Sequence, residues 1–90
     1  MDLENSPRFS IIEEPFYTQQ LSRLVNDPIL RNDIQQTFDG DIARNPYECE
    51  EIPFTKYRAV TIACFPPLTI SFRIDEEEMR IYLSDVQRIL

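Results

Sequence analysis

The chain reads as one layered α+β domain: a strand, two amphipathic helices, then three strands forming a small antiparallel sheet that the helices cover on one face. Three observations carry this. From Leu68 every second residue is apolar (Leu68, Ile70, Phe72, Ile74), with Thr69, Ser71, Arg73 and Asp75 between them. That period of two is what a half-buried strand requires, because successive side chains point to opposite faces. Leu30, Ile34, Phe38 and Ile42 recur at intervals of four, the spacing of one helix face. The 90 residues, 42% of them apolar, suffice for a single core and fall outside the composition of a disordered chain.

In chain order, residues 1–7 read as a flexible tail and 8–90 as the folded domain. Arg8 to Glu14 predicts a first strand, with Phe9 and Ile11 on one side and Ser10 and Ile12 on the other. Pro15 ends it. Phe16 to Val25 predicts a helix whose stripe is Tyr17, Leu21, Leu24 and Val25. Asp27 is placed to cap a second helix and Pro28 to occupy its first turn. That helix is expected to run to about Arg44, with Gly40, the only glycine, marking a bend or an early end. Asn45-Pro46 closes it, and Tyr47 to Thr55 reads as a loop carrying Glu48, Glu50 and Glu51.

The sheet proper begins at Tyr57, with Val60, Ile62 and Cys64 on one face and Pro66-Pro67 as the break. The acidic connection Asp75-Glu76-Glu77-Glu78 then joins Leu68–Asp75 to a second alternating run containing Ile81 and Leu83, which makes a hairpin. Val86 to Leu90 either extends that last strand or makes a helical turn. The expected buried face is Val60, Ile62, Ile70, Phe72, Ile81 and Leu83. The opposite face carries Ala59, Thr61, Thr69, Ser71, Arg73, Arg80 and Tyr82. A bulge would flip every side chain beyond it.

Charge and cysteine usage bound the function. Sixteen acidic against nine basic residues, net −7, oppose approach to a phosphate backbone, which is driven by basic side chains. A partner with basic segments fits better, although net negative charge also serves solubility. No apolar run approaches the roughly 20 residues of a membrane span, and the N-terminus lacks the pattern of a signal peptide. A cytoplasmic protein without a membrane partner is expected. Cys49 and Cys64 are expected to be free thiols, and with no histidine a metal site is not expected. The Glu76–Glu78 run reads as a solvated turn rather than a ligand set.

The order of elements and several local phrases resemble the RelE/ParE toxin superfamily of bacterial type II toxin–antitoxin systems, also called plasmid-stabilisation proteins. The phrases are Phe16-Tyr17-Thr18-Gln19-Gln20-Leu21, Arg44-Asn45-Pro46, Ile52-Pro53 with Tyr57-Arg58, and Leu68 to Asp75 followed by Ile81-Tyr82-Leu83. The resemblance implies a βααβββ fold, neutralisation by an antitoxin that wraps the toxin, and no metal or cofactor. It implies either DNA gyrase as target, by protein contact, or ribosome-dependent messenger RNA cleavage by basic side chains around the scissile phosphate. A degenerate, non-toxic binding domain is the remaining alternative, and homodimers and toxin–antitoxin hetero-oligomers are both compatible with the class.

For the ribonuclease branch the catalytic candidates are Arg58, Arg73 and Arg80, with Tyr82 and Arg88 as binding residues. Thr69 stands where the family usually has a basic residue, and no tyrosine follows Arg88. No imidazole is available as general base. The protein-contact branch is therefore the one expected. Arg58 reads alternatively as an ion-pair partner of Glu50 or Glu51, and Arg73, Arg80 and Tyr82 as ordinary cross-strand neighbours. The Ile29, Leu30, Ile34, Phe38 and Ile42 stripe reads as core packing, with antitoxin binding as its alternative.

Overall fold

A computed structural model describes residues 8–64 and 66–89; the expected tail at 1–7 lies outside them, as do Phe65 and Leu90. The elements are β1 (Ser10–Glu13), α1 (Pro15–Leu24), α2 (Pro28–Thr37), β2 (Glu50–Glu51), β3 (Tyr57–Ile62), β4 (Leu68–Asp75) and β5 (Arg80–Arg88). Their spatial order in the sheet is β1-β5-β4-β3-β2.

Each helix starts as its sequence dictates. Pro15 opens α1, where a missing amide hydrogen costs nothing. Asp27 caps α2, its Oδ1 accepting from the Ile29 amide at 2.9 Å, with Pro28 in the first turn. The expected irregularity at Gly40 is a π-helical turn, Phe38–Ile42. Helical residues follow to Arg44. The wider turn keeps both Phe38 (0% exposed) and Ile42 (5%) in the core. A Cβ built on Gly40 meets nothing within 4 Å. Gly40→Ala is therefore expected to raise stability by up to about 1 kcal/mol, read as a higher urea midpoint. A lower midpoint would mean that the π turn needs glycine's backbone freedom.

Three expectations are corrected here. Glu50–Glu51, expected in a loop, pair antiparallel with Ala59 and Arg58 and form a short edge strand. Their backbone makes the strand, so side-chain periodicity could not announce it. The sheet is mixed: β2 to β5 are antiparallel, but β1 lies parallel to β5, with Ile11 beside Ile81 and Ile12 beside Tyr82. Ile29 is exposed rather than packed on the sheet, because it falls outside the spacing of four that aligns Leu30, Ile34, Phe38 and Ile42.

The core joins both helices to the sheet. Tyr17, Leu21 and Val25 come from α1 and the residue after it; Ile34, Phe38 and Ile42 come from α2 and its continuation. They pack on Leu68, Ile70 and Phe72 of β4 and Ile81, Leu83 and Val86 of β5. Val60 and Ile62 of β3 are only partly buried at its margin. Phe38 meets Phe72 edge-on, ring centroids 6.1 Å apart, a favoured aromatic geometry.

Leu83 and Val86 both face the core although three positions separate them, which a regular strand forbids. A bulge resolves this. Ser71 pairs with Asp85 and Phe72 with Leu83, leaving Ser84 as an extra residue on β5. The insertion returns Val86 to the core and leaves Ser84 and Asp85 together on the opposite, open face. The last strand is thus extended to Arg88 rather than ending in a helical turn.

Candidate functional site

The helices occupy one sheet face, so any site on the sheet must use the other. Register places Ile12, Tyr82, Arg73 and Tyr57 in one row across β1, β5, β4 and β3. The Arg73 guanidinium carbon lies 4.0 Å from the Tyr82 ring centroid. Arg80 Nη1 donates to the Tyr82 hydroxyl at 3.3 Å. Arg73 also meets Glu14 at 3.6 Å, and Glu14 Oε1 accepts from Ser84 Oγ at 2.7 Å. Three of the five predicted side chains, Arg73, Arg80 and Tyr82, therefore form one cluster. A stacked guanidinium holds its place by attraction to the ring face.

Arg58 does not join them on that face. Its strand partner is Phe72, so it leaves β3 on the helix side, at the start of the strand. It ion-pairs with Glu51 at 3.0 Å and donates to the carbonyls of Cys49 at 2.7 Å and Tyr47 at 3.2 Å. Its guanidinium also lies over the Tyr47 ring, 5.4 Å from the centroid. Arg58 thereby ties the turn at Pro46–Glu48 to β3. It approaches Arg73 only around the end of the sheet, where both line a cleft of about 470 Å³ with Lys56, Asp75 and Glu76. Arg88 stands opposite Leu68 at the far end of β5. Eight residues separate it from Arg80, roughly 26 Å along a strand, so these two cannot serve one small site.

Two residues of this region had no signal in the sequence. Glu14 reaches Ser84 across 70 positions, and only the parallel β1–β5 pairing brings them together. Tyr47 donates to the Glu76 carboxylate and meets Phe9 edge-on at 6.2 Å. The Glu76 carboxylate, by accepting its proton, pushes the Tyr47 phenol above its ordinary value, with desolvation adding to the effect. The Glu76–Glu78 turn is exposed, and among the described residues no three His, Cys, Asp or Glu side chains are grouped to hold a metal ion. Cys49 and Cys64 are free thiols.

The open face also carries a groove of about 310 Å³. Phe16, just after β1, and Ile52 and Thr55, just after β2, form its sides. Its floor is Tyr57, Ser71, Ser84 and Asp85, so residues flanking the two opposite sheet edges lean over a shared trough. The groove contains no basic side chain.

The electrostatic outcome is specific. Arg58 and Arg73 are each engaged by a carboxylate, whereas Arg80 bonds the Tyr82 hydroxyl and belongs to neither ion pair of the described residues. Stabilising a phosphate in transition would require unengaged positive charge aimed at it. Beside the arginines, the open face offers aromatic, hydroxyl and carboxylate groups on paired strands.

Neither family models nor curated protein sequences match this chain. The fold nevertheless has a counterpart among solved structures. It is similar to "the toxin-antitoxin complex RelBE2" from Mycobacterium tuberculosis. The superposition has a TM-score of 0.73 and 14% sequence identity, covering 91% of this chain and 92% of that one. At this identity the likeness concerns the fold. Among the described residues no helix is long and apolar enough to cross a membrane.

Proposed function

We propose that this chain is the toxin-fold component of a type II toxin–antitoxin, or plasmid-stabilisation, system, acting in the cytoplasm by protein–protein contact and neutralised by an antitoxin. The observation that carries the reading is the end-to-end likeness to a toxin–antitoxin complex, 91% of one chain on 92% of the other. The engaged arginines and the charge of −7 favour a polypeptide target such as DNA gyrase over a nucleic-acid substrate.

The test is expression of the chain alone and together with the product of the neighbouring reading frame. Growth arrest alone, relief on co-expression and a co-purifying complex are expected. No growth effect together with no complex would remove the reading.

A second reading rests on the Arg73–Tyr82–Arg80 cluster, since a guanidinium beside an aromatic ring suits a stacked base and its phosphate. A RelE-type ribonuclease would cut a reporter message at the ribosomal A site, and Arg73→Ala would abolish the cuts. Uncut message with the wild-type protein ends that branch.

A further inference from the structure

We propose that the open-face groove is an anchor pocket for a single arginine side chain, flanked by apolar residues, on the protein that this chain binds. The proposal rests on the toxin–antitoxin reading for the existence of a partner and goes beyond it in naming what the partner inserts and where.

Shape comes first. At about 310 Å³ the groove is at the low end for small-molecule sites, a size suited to one long side chain rather than a cofactor. Phe16, 56% exposed in the first turn of α1, leans over it from one side and Ile52 from the other. Tyr57 lies on the floor between them. An arginine's aliphatic stem packs against such walls while its flat head stacks on aromatic faces.

Charge then selects the head group. The β5 bulge puts Ser84 and Asp85 side by side on this face, opposite Ser71. Asp85 Oδ2 accepts from the Gln87 side chain at 3.0 Å, and neither ion pair of the described residues includes it. A planar guanidinium can bond that carboxylate and the neighbouring hydroxyls at once. Asp85 is the charged side chain among those lining the groove, so the groove favours a cationic group over an acidic one. A regular β5 would send Asp85 to the core face and Val86 to the open one. The bulge is therefore what supplies the pocket with its carboxylate.

The experiment is a nuclear magnetic resonance titration of the ¹⁵N-labelled full chain with the capped tripeptide Leu-Arg-Leu and its citrulline counterpart. Citrulline keeps the shape and removes the charge. The arginine peptide is expected to shift the amides of Tyr57, Ser71 and Asp85 saturably, and to bind more weakly as salt is raised. The citrulline peptide and the Asp85→Asn protein with the arginine peptide are each expected to bind roughly tenfold more weakly, as for loss of a charge-assisted hydrogen bond. Phe16→Ala, at an exposed position that leaves the core intact, is expected to weaken both peptides. Equal binding of the two peptides, shifts confined to another surface, or full affinity in both variants would overturn the assignment. Normal growth arrest and antitoxin complex formation by Asp85→Asn, beside a failed titration, would put the error in the pocket and leave the toxin–antitoxin reading standing.

Discussion

Phe72→Ala is expected to lower the unfolding free energy by about 3–5 kcal/mol, the range for removing a buried aromatic side chain. Phe72 is 0% exposed, sits on the central strand β4 and packs edge-on against Phe38 of the helical layer. Its deletion loses the burial of the ring and leaves a void between layers that the backbone of β4, paired on both sides, cannot collapse to fill. A domain of this size has only about 5–15 kcal/mol in total. The variant should therefore show a much lower urea midpoint with an unchanged slope. Phe72→Leu, which fills most of the space, should recover most of the loss. A cost below about 1 kcal/mol would show that this ring is not the junction between helices and sheet.

The second large effect is alkaline. Tyr17 is 1% exposed, and burial pushes its phenol well above the ordinary value of 10.0, with Glu13 adding to the rise and Arg31 opposing it. The folded chain then holds the proton that the unfolded chain releases. Stability is full below about pH 10 and falls as the unfolded state ionises, by up to about 1.4 kcal/mol per pH unit. It continues to fall until the folded phenol ionises too. Denaturation at pH 8, 10 and 11 should show this decline in the wild type and a shallower one in Tyr17→Phe. Tyr47, raised by its bond to Glu76, and Cys49, raised by burial, also contribute to the wild-type slope. The difference between the two proteins isolates Tyr17. Parallel declines would place its hydroxyl in water.

What could be read from the residues follows the kind of force that made each element. The β4 boundaries, Leu68 to Asp75, are those its alternation predicts, because side-chain burial determines a central strand. The helical spacing of Leu30, Ile34, Phe38 and Ile42 likewise located the second helix, and the lone glycine marked its irregular turn. Glu50–Glu51 was hidden because an edge strand of two glutamates buries nothing and is held by backbone pairing. The β5 bulge left a trace, the odd interval between Leu83 and Val86, which only the paired strand turns into geometry.

The candidate site was legible in part for the same reason. Alternation put Arg73, Arg80 and Tyr82 on one face. It could not supply Glu14, which arrives through a parallel pairing between the ends of the chain. Alternation with Val60 and Ile62 put Arg58 on the helix side, but it could not show the Pro46–Glu48 turn that Arg58 holds there.

That parallel pairing has a consequence for how the protein is made. The bonds of Ser10–Glu13 go to Arg80–Leu83, and the separation between Glu14 and Ser84 is 70 residues. At a synthesis rate of about 5–20 residues per second the first strand therefore waits roughly 4–14 seconds for its neighbour. Until the last hairpin emerges, the nascent polypeptide has no complete sheet on which its helices can settle. A product cut short before Arg80 would lack β5, which is both the neighbour of β1 and the strand that α1 packs on, so premature termination is expected to yield no folded fragment.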